Sequence, residues 1–238
     1  MTDGNNEDFS RAMVVVAHAD DAEWGCAGTV ARWCAEGKHV VYVVCTDGSK
    51  GTSDPTISPD EVIASRRAEQ EDAGRVLGLA HVVFLGYPDA YLQSNLELRK
   101  AITREIRRHR PDVLICMNPV RNLDGDGYID HPDHFASGDA AMGAVYPSAR
   151  DPLTFPELLT EEGLEPHKVR EVWVMGRTEP DHFVDVTDHI ETAVDALRAH
   201  RSQVDAAAAD QYLRQWRRRD GPRIGVEYAE VFKRFRLG

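Results

Sequence analysis

The run Val40-Val41-Tyr42-Val43-Val44-Cys45 limits what this chain can become more than any other stretch. It is nearly continuous in apolar residues, so the strand it predicts must be covered on both faces. It is too short for a helix and rich in β-branched side chains. Similar runs recur at Ala12–Val16, His81–Leu85, Val113–Met117, Val172–Met175 and Phe183–Val186. Helical segments separate the first four. One ends near Gly37. The next starts at Ser58-Pro59-Asp60-Glu61, a capping box with proline in the first turn, and runs to Leu77 with Gly78 as its stop. The third opens on a second capping-box pattern, Ser94 to Glu97, and continues to about His109, where Pro111 and Asp112 break it. Strands and helices alternating at this spacing predict βαβ crossovers. The expected fold is α/β and Rossmann-like: a mainly parallel sheet with helices on both faces.

The 238 residues suit one domain over 1–238, with the polar residues 1–11 as a loose tail. Residues 131–146 read as helix and 147–169 as an irregular excursion. Thr187 or Asp188 caps a final helix through Arg201, with Arg219 as its furthest reach.

Open α/β sheets carry their sites at the carboxyl ends of the strands. Two polar clusters fall there. Ala17-His18-Ala19-Asp20-Asp21-Ala22-Glu23 follows the first strand. A helix N-cap accounts for one of its aspartates but leaves the histidine and the second carboxylate without a reason. After the fourth strand, the long loop Asn118–Asp130 leads into His131-Pro132-Asp133-His134. Loops of that length inside a compact domain are usually functional. Three ligands of imidazole and carboxylate type, with a position left open for water, describe a catalytic zinc site. Two histidines and one aspartate from these clusters satisfy it. The same donors suit iron(II).

With these motifs in this order, the sequence resembles the PIG-L/LmbE-like zinc-dependent N-deacetylases. Ala17–Glu23 is similar to the family's Ala-His-Pro-Asp-Asp-x-Glu, and His131-Pro132-Asp133-His134 to its His-x-x-His. Arg66-Arg67-Ala68-Glu69, Leu85–Asp89, His200-Arg201-Ser202-Gln203 and Tyr228-Ala229-Glu230-x-Phe232 resemble its further motifs. The resemblance implies that His18, Asp21 and His134 bind zinc and that Asp20 is the general base acting on water. It implies that His131, protonated, stabilises the tetrahedral oxyanion or assists the leaving amine. Arg66 and Asp89 correspond to family positions that hold substrate hydroxyls or leaving-group polar atoms. Asp133 would orient a ligand histidine, and His200 with Gln203 would brace the site. The implied reaction removes an N-acetyl or other N-acyl group from an N-acetylglucosamine-like small molecule. Ala19 departs from the family's proline. It removes no ligand but loosens the turn.

Two other readings stay open: a non-catalytic sugar- or phosphate-binding module on the same scaffold, and a metallo-phosphoesterase, which commonly uses two metals. The balance of 28 Lys plus Arg against 40 Asp plus Glu, net −12, opposes nucleic acid and anionic membrane as partners. No apolar run approaches the ~20 residues of a membrane span. Cys26, Cys34, Cys45 and Cys116 form no C-x-x-C pair and read as reduced core residues of a cytoplasmic protein. Asp124-Gly125-Asp126-Gly127 hints at a calcium loop but lacks the glycine and closing glutamate of an EF-hand. No G-x-G-x-x-G follows the first strand. The Arg214–Arg219 cluster reads as a solvated helix face or as a subunit contact in a homo-oligomer, with RNA or phosphate as the less favoured partner.

Overall fold

The computed structural model describes residues 8–121, 123, 129–176 and 179–237, without the side chain of Ala208. The strands are β1 (Arg11–Val16), β2 (His39–Thr46), β3 (His81–Tyr87), β4 (Val113–Cys116), β5 (Glu171–Val174), β6 (His182–Asp185) and β7 (Ala229–Arg236). The α-helices are α1 (Asp21–Ala35), α2 (Pro59–Leu77), α3 (Leu96–His109), α4 (Pro132–Gly143), α5 (Glu157–Thr160), α6 (Ile190–Arg198) and α7 (Ala206–Asp220). Among the described residues the strands form one sheet in the order β3-β2-β1-β4-β5-β7-β6. β1 to β5 pair in parallel, and β7 lies antiparallel between β5 and β6. This is the expected Rossmann-like, mainly parallel sheet with helices on both faces.

Alternation along each strand assigns the two faces. Val14, Val16, Tyr42 and Val44 belong to the core formed with α1, α2, α6 and α7. Met13, Val15, Val43 and Cys45 belong to the core on the α3 and α4 side. Three of the four free cysteines are buried. The chain runs outward from β1 to β3 and then returns to place β4 against the other edge of β1. The crevice at the carboxyl ends of β1 and β4 is therefore the switch point of the sheet.

Several expectations need correction. The loose tail does not extend to residue 11: Arg11 begins β1, and the Phe9 ring packs edge-on against Trp33 at 5.0 Å. Residues 1–7 lie outside the described residues. The α2 capping box forms as read, with Ser58 and Glu61 each accepting the other's backbone N–H. The second box does not. Asn95, not Ser94, caps α3, and the Ser94 hydroxyl is taken by Asp139 of α4. The final helix is two: a 3₁₀ turn at Thr187–His189 precedes α6, and the chain breaks before α7. Neither Thr187 nor Asp188 caps α6, which has no side-chain cap. α5 lies within the segment read as irregular. The charged composition of β7 obscures its strand pattern along the chain. Arg234 in β7 makes paired bonds of 2.6 and 2.8 Å to Glu171 of β5, which neutralises it there.

α4 sits very close to the end of β4. A Cβ on Gly138 would lie 2.4 Å from the Met117 carbonyl oxygen. Gly138→Ala is expected to destabilise the fold by about 1–3 kcal/mol through overpacking, read as a lower urea midpoint. An unchanged midpoint would mean that α4 can move away without cost.

Candidate metal centre at the sheet switch point

The turn after β1 is held in an unusual shape. Asp20 precedes α1 with φ 88°, a left-handed conformation that asparagine and aspartate tolerate better than most residues. Three residues fix it. Arg66 donates to the Ala19 carbonyl at 2.7 Å, Thr46 donates to the Ala17 carbonyl through both N and Oγ1 at 2.9 Å, and the Gln70 amide oxygen accepts the Asp20 N–H at 3.2 Å. α2 thus clamps the turn from one face, through residues four apart.

α1 is not continuous. Cys26 has φ −151° and ψ 18°, so the helix restarts after it. The restarted helix needs a cap of its own. Glu230 of β7 supplies it: its carboxylate accepts the Gly28 N–H at 3.0 Å and the Thr29 N–H at 2.8 Å, and Arg217 donates to it at 3.0 Å. Arg217 also donates to the Trp24 carbonyl at 2.6 Å. The Arg214–Arg219 cluster is therefore not a basic patch. Arg214 pairs with Asp210 and Glu191, Arg217 is buried on Glu230, and Arg218 pairs with Glu227.

The two sequence clusters converge. His131 caps α4 and His134 lies in its first turn, which brings both rings beside His18. Ring centroids are 4.7 Å apart for His18–His131 and 5.4 Å for His18–His134. Asp21 bridges two of the imidazoles, with Oδ2 3.4 Å from His18 Nδ1 and Oδ1 3.1 Å from His134 Nε2. One donor atom from each of His18, Asp21 and His134 lies within 4.8 Å of the others. The set is all imidazole nitrogen and carboxylate oxygen, crowded with negative charge, which is what a divalent ion requires. A second group, His18, Asp89, His131 and Asp133, meets the same distance test. Its carboxylates are already committed: Asp133 accepts the Ala90 N–H at 2.8 Å and the Leu92 N–H at 3.2 Å, and Asp89 accepts the Lys50 N–H at 3.0 Å. They meet His18 through Nε2, at 3.3 Å from Asp133 and 3.1 Å from Asp89. That leaves Nδ1 facing Asp21, the arrangement by which an outer carboxylate orients a metal-binding histidine.

The electrostatics follow from this packing. Burial lowers the His18 pKa, but its bonds to Asp133, Asp21 and Asp89 outweigh burial and push it up to about 12. Burial would raise Asp21, yet His134 and His18 hold its carboxyl well below the usual range. Burial, then the neighbouring Asp21 charge, push Asp20 up to about 7 against the pull of Arg66 and His200. Burial, then His18, hold His131 below its ordinary value. Its Nδ1 accepts the Asp133 N–H at 3.2 Å, which favours a neutral ring over the protonated one expected.

Of the remaining expected residues, Asp89 borders His18. Arg66 is 6% exposed and turned toward Ala19 and Asp20, its Nη2 3.6 Å from Asp20 Oδ1. His200 is fully buried with Nε2 3.2 Å from Glu23 Oε2, and Gln203 donates to the Gly51 carbonyl at 2.8 Å. Glu23 in turn accepts from Gln70 at 2.9 Å, so a buried polar chain runs from His200 through Glu23 and Gln70 to the Asp20 backbone. Glu23 and Glu230 lie within the motifs Ala17–Glu23 and Tyr228–Phe232, where no neighbouring residue marks the distant partner of either. Gln70 gave no sign beyond its helical spacing from Arg66. The suggested calcium loop, Asp124–Gly127, lies outside the described residues.

The chain is similar to known proteins along almost its whole length. The PIG-L family model, described as GlcNAc-PI de-N-acetylase, matches residues 13–145. A diacetylchitobiose deacetylase of Thermococcus kodakarensis is 30% identical over 226 residues, covering 94% of this chain and 82% of that protein. A 1D-myo-inositol 2-acetamido-2-deoxy-alpha-D-glucopyranoside deacetylase of Saccharopolyspora erythraea is 29% identical, covering 91% of this chain and 90% of its own. The structure of N,N'-diacetylchitobiose deacetylase from Pyrococcus horikoshii, complexed with its inhibitor MPG, superposes with a TM-score of 0.88 at 31% identity. It covers 97% of this chain and 85% of that one. With its family model matched over more than half the chain, this protein belongs to the PIG-L family.

Proposed function

We propose that this chain is a zinc-dependent hydrolase that removes the N-acyl group, acetyl in the simplest case, from a small N-acetylglucosamine-like molecule. The observation that carries the reading is the meeting of His18, Asp21 and His134 at the sheet switch point, with Asp20 next in the chain to a ligand. The named relatives are deacetylases of acetylated amino sugars, which supports the substrate class. A divalent ion held by His18, Asp21 and His134 supplies Lewis acidity toward the acyl oxygen and lowers the pKa of water to about 7. Iron(II) suits the same donors.

The chain's own residues do the rest. Asp20, on the strained turn, accepts the proton of the attacking water. The water oxygen adds to the acyl carbon, the proton taken by Asp20 passes to the nitrogen as the C–N bond breaks, and the acid formed gives up its own proton, so that a carboxylate and an ammonium result. His131 keeps Nδ1 on the Asp133 N–H, so a neutral ring presents Nε2–H as the donor to the tetrahedral oxyanion. Asp133 holds His18 from behind and ties down the loop at Ala90–Leu92. Asp89 is bonded to His18 and to the Lys50 N–H and is 4% exposed, so it mainly orients His18 and reaches a sugar hydroxyl through a lone pair those bonds leave free. Arg66 acts mainly by holding Ala19 and Asp20. No helix among the described residues is long and apolar enough to cross a membrane.

The test is acetate release from N-acetylglucosamine and its short oligomers by zinc-loaded protein. Release is expected to stop on chelation and return with zinc or iron(II). Metal-loaded protein that releases no carboxylate from any N-acyl amino sugar would overturn the reading. The metal-free charge state adds a prediction. His18 carries a proton at neutral pH because its pKa is pushed up to about 12. Zinc needs the unprotonated nitrogen and must displace that proton. Zinc affinity is therefore expected to rise with pH, by up to about tenfold per unit for each proton displaced. Chelator competition between about pH 6 and 8 measures this slope. A flat profile would mean that zinc binding displaces no proton and that His18 is neutral before the metal arrives.

A further inference from the structure

A cavity of about 390 Å³ opens directly against Asp21 and His134. Its walls are mostly apolar, formed by Trp24, Met117, Phe135, Met175 and Trp216, with Asn118 and Asp130 as further polar groups beside Asp21 and His134. The rings of Trp24 and Trp216 meet at 5.3 Å. These walls are fixed by the fold. Arg217, buried on Glu230, grips the Trp24 carbonyl, and Met175 sits where any side chain on Gly25 would collide, with a Cβ there only 2.4 Å from its Sδ. Polar groups gather on the other side. Asp89 and Asp133 meet His18 at Nε2, and His131 stands beside them, whereas Asp21 lies at Nδ1. The candidate metal ligands thus have a polar flank and an apolar flank.

An N-acyl amino sugar has the same two ends. Its hydroxyls need hydrogen-bonding partners and its acyl chain does not. Matching the ends to the flanks puts the sugar by His131 and Asp89 and the acyl group in the cavity. An acetyl methyl, about the size of a water molecule at roughly 30 Å³, fills only about a tenth of that space. Each further methylene buried there is worth roughly fourfold in binding.

We infer that this cavity receives the acyl end of the substrate, and that the chain prefers unbranched N-acyl groups of about four to eight carbons over acetyl. This rests on the hydrolase reading above. Zinc-loaded protein is expected to show kcat/KM at least about tenfold higher for N-hexanoylglucosamine than for N-acetylglucosamine. The ratio should fall toward one in Trp216→Ala, a partly exposed position that tolerates truncation. A second readout needs no turnover. Hexanoate should perturb the fluorescence of the cavity tryptophans at a concentration at least about tenfold lower than acetate does. A ratio at or below one, a high ratio that survives Trp216→Ala, or equal response to the two carboxylates would each overturn the inference. Acetyl hydrolysed faster than hexanoyl would leave the hydrolase reading intact and remove only the acyl preference. Tight hexanoate binding without turnover of either sugar would keep the cavity's apolar selectivity and remove the hydrolase reading, and with it the substrate preference built on it.

Discussion

Asp20→Asn is expected to lower kcat by about 10²- to 10⁴-fold while leaving zinc content and fold unchanged, because a positioned general base is worth that much. Asparagine is the informative replacement. It keeps the shape of the side chain and, like aspartate, tolerates the left-handed backbone at φ 88°. Alanine would mix backbone strain with lost chemistry. The turn survives the change because its other supports remain: Arg66 still reaches the Ala19 carbonyl and Gln70 still accepts the Asp20 N–H. Only the contact between Asp20 and Arg66 at 3.6 Å is weakened. Steady-state kinetics on protein whose bound zinc has been quantified separate the two effects. Wild-type kcat with zinc in place would show that another group takes the proton, and the role proposed for Asp20 would fall.

Glu230→Ala is expected to cost about 3–5 kcal/mol of stability, the range for leaving one partner of a buried charge pair alone. The carboxylate is 2% exposed and Arg217 8%. Its removal strands three donors at once: the Gly28 and Thr29 N–H groups of the restarted α1 and the Arg217 guanidinium. Glu230→Gln keeps the shape and loses the charge, so its loss is expected to be smaller, about 1–3 kcal/mol. Combined with Arg217→Met, the effects should fall well short of additive, since both act through one contact. Urea unfolding of wild type, the two Glu230 variants, Arg217→Met and the double variant measures this. A Glu230→Ala midpoint equal to wild type would mean that water caps the helix as well as the carboxylate does. Because Arg217 also holds the Trp24 carbonyl, the less severe Gln variant is expected to loosen the apolar wall beside the metal ligands before it unfolds the chain.

What could be read along the chain was local. The capping box at Ser58 and Glu61 needs only residues three apart, and it forms as written. Ser94 and Asn95 are adjacent and both able to cap. Which one does was decided by Asp139, which claims the Ser94 hydroxyl from another helix. The break after α6 lies where His200 turns inward to meet Glu23, a partner 177 positions earlier that no periodicity announces. β7 reads as a charged segment until Glu171 and Asp181 stand opposite its arginine and lysine.

The α/β class, the strand-to-turn-to-helix unit at Ala17–Glu23, and the donor types of the candidate site, His and Asp at strand ends, are legible along the chain. Those depend on burial periodicity and on caps that close over a few residues. That His18 stands against Asp133 across 115 positions, and that Glu230 caps a helix 202 positions before it, follows from the packing of the whole chain. The same packing turns Arg66 and Arg217 inward as supports. A buried charge is stable only where its partner arrives, and which distant segment brings that partner is settled by the packing of the sheet and helices as a whole.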